Sequence, residues 1–346
     1  MIYKIFIILI IFLISFKLSA FNQLYETKFY LIEIDNEIIS DAKKREIEKI
    51  KELSFKNIIE NILNYKQNKK FNKLLNQELN PNFFIRNILI EDEFISKTKY
   101  KSRIKINFDN NEIISILRNY KINYSDLISP KFLLVVATDT KISNEGLSKN
   151  NLIYNFDQTN NIKSLKVVNP DLSLNDRYIL PYNKIIERDL DAFSKFSNKY
   201  NINNIIIIDL NKNNNNYNLI FDHFINDKKV IEKIGFLNLN SKSDLKKEIF
   251  YYLDEWWKNK NEIDNSIVNN LPCYIKNANI FELYFINSKI NLISQVKSNN
   301  IKSISYGRNY QNITFYGDLN ILATKLYNEN IELEMNSNNK CIIKLK

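Results

Sequence analysis

The 346-residue chain is predicted to fold as an α/β (α+β) protein of three small domains. Three observations predict this class. Short apolar runs such as KFLLVVA (131–137) and NNIIIIDL (203–210) read as buried strands. Between such runs lie longer stretches with apolar residues three and four apart, the spacing of helices packed on one face. The two kinds of segment alternate along the chain, and alternation of this sort builds mixed layers of helix and sheet.

FYLIEID (29–35) is the first strand, and a helix follows from Asp41 to about Asn64, with Ile47, Ile50, Leu53, Ile58, Ile59, Ile62 and Leu63 on its apolar spacing. Ser40 and Asp41 are its expected cap, since their side-chain oxygens can accept from the free amides of the first turn at roughly 1 kcal/mol. A second apolar pattern at Phe71, Leu74, Leu75 and Leu79 ends at Pro81, FISKTKYKSRIKINFD (94–109) alternates as a strand, and residues 110–119 form a helix. The middle block opens on KFLLVVA. It continues through a strand in SLKVVNP (164–170), one helix from about Tyr182 to Tyr200, and NNIIIIDL. YNLIFDHFI and KKVIEKIGF pair as a hairpin, and a helix runs from Ser243 to about Lys258. The last block reads as a strand from Cys273 to Ala278, a helix over 281–289, two strands split near Gly307, a helix over 318–328 and a hairpin of IELEM and CIIKL. That βαββαβ order is the ferredoxin-like split unit. The expected limits are a leader at 1–20, an N-terminal α/β domain at 21–129, a middle α/β domain at 130–260 and a ferredoxin-like domain at 261–346. KINFDNNEIISILRNYKI (105–122) and ITFYGDLNILATKLYNENIEL (313–333) use one device twice, a strand passing through Asp into a short helix.

The chain begins MIYKIFIILIIFLISFKLSAFN, where Lys4 precedes an apolar core from Ile5 to Phe16 that stops at Lys17. A helix over that core would be roughly 18 Å long, short of the roughly 30 Å hydrocarbon layer. The expectation is a cleaved signal peptide, with Leu18-Ser19-Ala20 at the cut, Phe21 as the mature start, and a periplasmic protein with no stable membrane span after cleavage. Loss of Lys4 and Lys17 lowers the formal charge from +10 to +8. Lysine and asparagine are spread along the whole chain rather than gathered into basic arms, so no nucleic-acid partner is expected.

Four glycines, at 146, 235, 307 and 317, exclude a dinucleotide fingerprint, a nucleotide loop or a hydrolase elbow. Gly317-Asp318 is therefore expected to turn a strand into a helix, the Asp318 carboxylate taking the amides a phosphate would need. The single histidine, His223, is expected to be partly exposed on a strand, and without a cysteine cluster it cannot build a common zinc site. The acids that could serve a carboxylate-dependent hydrolase of cell-wall sugar are Asp171, Asp176, Glu187, Asp189 and Asp191; such chemistry needs two of them about 5–10 Å apart in a cleft. Their alternative is turns and a solvated helix start. Trp256 and Trp257 diverge by about 100° on a helix, so one is expected in the core and the other at a surface or domain boundary. No catalytic residue, cofactor or metal site is expected.

Cys273 and Cys341 lie on the expected first and last strands of the terminal block. A split sheet sets those strands side by side, within the roughly 4.4–6.8 Å Cα separation of a disulfide. The alternative is a pair of buried thiols.

The succession YKSRIKINFDNNEIISILRN, INYSDLISPKFLLVVA, KVVNPDLSLNDR, FSKFSNKYNINNIIIID and ITFYGDLNILATKLYNENIELE resembles the secreted bacterial proteins grouped as domain of unknown function 2066. The resemblance spans roughly residues 25–346. It implies a signal peptide, a small N-terminal α/β domain, a middle domain similar to the TolB N-terminal and lipoprotein-activator folds, and a ferredoxin-like end. NLIYNFDQ (151–158) stands where that family usually carries tryptophans. The resemblance transfers no catalytic motif. It points to an interaction or assembly factor of the cell envelope whose partner is another envelope protein.

Overall fold

A computed structural model describes residues 23–36, 38–75, 80–138, 147, 163–213, 216–240, 244–276, 279–305, 307–335 and 340–346. The expected leader and its cut, Leu79, NLIYNFDQ, Ser243 and Ala278 lie outside the described residues. The chain forms two compact units of mixed helix and sheet, one made of residues up to Leu127 together with Asn261–Lys346, the other of Ile128–Lys260.

The first unit begins with β1 (Tyr30–Asp35), α1 (Ile39–Ile62), α2 (Tyr65–Leu75), β2 (Ile85–Ile95), β3 (Lys99–Phe108) and α3 (Asn110–Asn119). Its sheet has the order β1-β3-β2, all antiparallel. Period two sends Tyr100, Ile104, Ile106 and Phe108 of β3 inward beneath Phe55, Ile58 and Ile62 of α1. It sends Lys99, Lys101 and Arg103 outward, where Asp35, Glu33 and Glu91 on the flanking strands meet them at 3.6, 2.6 and 3.1 Å. These exposed pairs set register more than they add stability. The single strand expected over 94–109 is in fact a hairpin, turned at Ser96, whose amide bonds to the Lys99 carbonyl. β2 escaped the alternation test because it is a mostly exposed edge strand, with a bulge between Glu91 and Phe94 where Asp92 has φ 53°. Ser40 and Asp41 do not cap α1. The helix starts earlier, after Ile38 and without a side-chain cap, so Asp41 lies within the first turn, where its charge suits the helix dipole.

The second unit contains β4 (Lys131–Thr138), β5 (Lys166–Val168), α4 (Leu174–Ile179), α5 (Tyr182–Ile186), α6 (Leu190–Tyr200), β6 (Asn204–Asn213), β7 (Asn216–Ile225), β8 (Val230–Asn240) and α7 (Leu245–Lys260). The order is β5-β4-β6-β7-β8, with β4 parallel to both neighbours and β6, β7 and β8 antiparallel. Parallel strands covered on both faces carry unbroken apolar runs, which is why FLLVVA and IIII are buried residue after residue. The one helix expected over 182–200 is two, broken where Arg188 takes φ 57° and Asp189 caps α6. α4 adds a helix the spacing did not suggest, started by a reciprocal cap between Ser173 and Asp176.

The first unit is completed by β9 (Val268–Lys276), α8 (Ile280–Leu292), β10 (Val296–Ser303), β11 (Arg308–Tyr316), α9 (Leu319–Asn328), β12 (Ile331–Met335) and β13 (Cys341–Leu345), in the sheet order β10-β11-β9-β13-β12. The antiparallel β10-β11-β9 part follows the split unit. The other side departs from the ferredoxin-like order, because β13 is inserted parallel to β9 and displaces β12 to the edge. Burial explains the insertion: β13 brings Cys341 and Ile343 into the core beside Cys273 and Ile275.

Candidate functional site

Gly317 and Asp318 make a turn and a cap. Gly317 has φ 70°, and a Cβ there would come within 3.0 Å of the Asp264 amide nitrogen. The Asp318 carboxylate accepts from the Asn320 amide at 2.6 Å, as Asp109 accepts from Asn111 at 2.9 Å at the start of α3. The amides a phosphate would need are occupied in both places.

The acids marked in the sequence serve separate structural tasks. Asp176 is buried; burial works against its charge, but Lys199, the Tyr200 hydroxyl and the Ser173 amide together hold its carboxyl below the usual range. The Asp171 amide donates to Tyr200 Oη at 2.7 Å. Asp189 accepts from the Ala192 amide at 2.9 Å and pairs with Lys184 at 2.5 Å, while Asp191 lies 3.6 Å from Lys229. Glu187 ends α5. Lys184 bonds to Asp189 and also feels Glu187, and Tyr200 bonds to Asp176 and also feels Asp171.

Two other carboxylates do converge, and the only local sign of them is an acid interrupting each apolar strand. Asp209 of β6 and Asp222 of β7 both bind Arg188, whose Nη2 is 2.6 Å from each; Nε reaches Asp222 at 3.0 Å. One guanidinium thus satisfies both acids and holds the left-handed residue between α5 and α6 in place. The two acids are thus engaged by the protein's own cation.

His223 is buried rather than partly exposed, at 4%. Its ring packs edge-on to Phe132 at 5.4 Å and Trp256 at 5.5 Å, and Nε2 lies 3.0 Å from Asn204 Oδ1. Trp257 is buried and Trp256 half-buried, yet both rings pack on Phe132, at 5.6 and 5.8 Å. Burial, aided by Lys260 and opposed by Glu232, lowers the His223 pKa to about 4. The native state therefore favours neutral imidazole: this stability is present above the unfolded pKa near 6.5 and is lost as pH falls toward 4. Acidification from pH 7 to 4 should cost about 3 kcal/mol through this residue. Urea unfolding of the wild type and His223→Gln at both pH values measures it. Equal pH dependence in the two proteins would refute the assignment.

In the first unit Lys325 of α9 is buried at 1% and bonds to Asp126, whose side chain is covered to the same degree, and to Ser294 Oγ at 2.7 Å. The Ser294 carbonyl accepts from Arg118 and, at 3.2 Å, from Tyr124 Oη. Burial pulls the Lys325 pKa down and pushes Tyr25, which also feels Asp126, well up. A lysine of lowered pKa can act as a nucleophile, but this one is sealed in, so its chemistry is structural.

Among the described residues, exposed large apolar side chains cluster on α8. Leu283, Ile286 and Ile290 face the core, while Ile280, Phe281, Tyr284, Phe285 and Leu292 are 61, 81, 76, 43 and 61% exposed. A helix apolar on all sides is normally covered on all sides. A shallow hollow along α2, lined by Tyr65, Asn68, Lys69, Asn72 and Lys73, contains no carboxylate. Among the described residues, no three or more His, Cys, Asp or Glu side chains are grouped to hold a metal, and no helix is long and apolar enough to cross a membrane. Comparison with known proteins finds no matching family model, no matching curated protein and no matching solved structure.

Proposed function

We propose that the protein is a non-catalytic, exported factor of the cell envelope that works by contact with another protein chain. The observation that carries this reading is the outer face of α8, an apolar surface that no element covers among the described residues. The signal-peptide pattern of residues 1–20 and the resemblance to the secreted domain of unknown function 2066 proteins support the envelope as its place. Engagement of the conspicuous acids by lysines, Arg188 and helix caps favours contact over carboxylate hydrolysis. A photo-crosslinking amino acid at Tyr284, activated in intact cells, should give one reproducible adduct identifiable by mass spectrometry. Absence of any adduct, with the protein present at its normal level, would overturn the reading.

A further inference from the structure

Resting on that reading, we infer that the occupant of the α8 face is a second copy of this chain, packed as an antiparallel, twofold-symmetric helix pair. The outward residues recur at Phe281, Phe285, Ser288 and Leu292, a continuous stripe at spacings of four, three and four. The stripe is self-complementary. A twofold axis between Ile286 and Asn287 sets Phe281 against the partner's Leu292 and Phe285 against the partner's Ser288, so a large side chain meets a small one.

Lys289 borders the stripe next to Phe285. That ammonium adds no unpaired charge, because within its own chain Lys289 already bonds to Glu329 at 2.7 Å and lies over the Phe285 ring at 5.8 Å. Near neutrality along the stripe suits an isologous contact, in which any net charge would face its own copy.

Area points the same way. With fractional exposures of 43–81%, the five exposed apolar side chains of α8 present at most roughly 600 Å² on each copy, taking the low end of the about 150–250 Å² of an aromatic residue for the two aliphatic ones. A pair that covered the whole face would bury at most about 1,200 Å², the lower limit of specific, stable interfaces.

Analytical ultracentrifugation of the full exported chain over a concentration series tests the inference. The expected result is a reversible dimer whose dissociation constant rises at least about tenfold in Phe285→Glu, as for an aromatic anchor at an interface centre. Ser288→Arg, which fills the opposing space without removing an apolar contact, should weaken it similarly, and both positions lie outside the core. A wild type that stays monomeric, or a dimer indifferent to both substitutions, would overturn the inference. If in that case the Tyr284 crosslink joins a different protein, the contact role stands without the dimer; if it joins nothing, both fall.

Discussion

Lys325→Met is expected to lower the unfolding free energy by about 3–5 kcal/mol, the usual cost of leaving one member of a buried ion pair without its partner. Asp126 would keep a negative charge inside the first unit, its Oδ2 already without a hydrogen-bond partner among the described residues. The double variant Lys325→Met with Asp126→Leu removes both charges and should recover most of the loss, because desolvation is then no longer opposed to folding. Denaturant midpoints at constant slope report both numbers. A single-variant effect below about 1 kcal/mol would mean that the pair is solvated, as surface pairs are. The joined residues are 199 positions apart, so the measurement also probes how the early and late stretches of the first unit are held.

The disulfide carries the second large effect. Cys273 and Cys341 are bonded, opposite one another in register on β9 and β13 with Cα atoms 4.4 Å apart. They close a loop across a sequence separation of 68 residues, for which chain entropy gives about 4 kcal/mol. Replacing both with alanine should cost about that much. Free-thiol labelling of the unreduced, unfolded protein should find no reactive cysteine; two thiols per chain would remove the basis of this expectation. Topology says where the loss appears. Only three residue pairs join β13 to β9, and β12 reaches the sheet through β13 alone. Amide exchange should therefore accelerate in β12 and β13 first, with β10 and β11 little changed.

Legibility in the sequence followed the range of the interactions involved. Asp109 and Asp318 act on amides two or three residues ahead, so the passage from strand to helix is written within a few positions and was read there. The same holds for FLLVVA and IIII, whose composition reports burial on both faces whatever the neighbours are. The break between α5 and α6 was not readable, because Arg188 adopts its left-handed backbone for two carboxylates 21 and 34 residues away. The burial of His223 was not readable from its own strand, because the Phe132 and Trp256 rings that enclose it come from β4 and α7.

By itself the sequence determined the α/β class, most helices and strands, the passage through Asp109 and Asp318 into a helix, and the absence of room for a glycine-rich phosphate loop. All of these depend on local spacing and residue type, which carry their energies with them. Tertiary structure alone decided the insertion of β13 between β9 and β12, the burial of Lys325 against Asp126, the capture of Asp209 and Asp222 by Arg188, and the bare outer face of α8. Each of these depends on which distant segment arrives as a neighbour. That choice is made by the burial and charge pairing of the whole unit, summed over contacts that no single stretch of sequence contains.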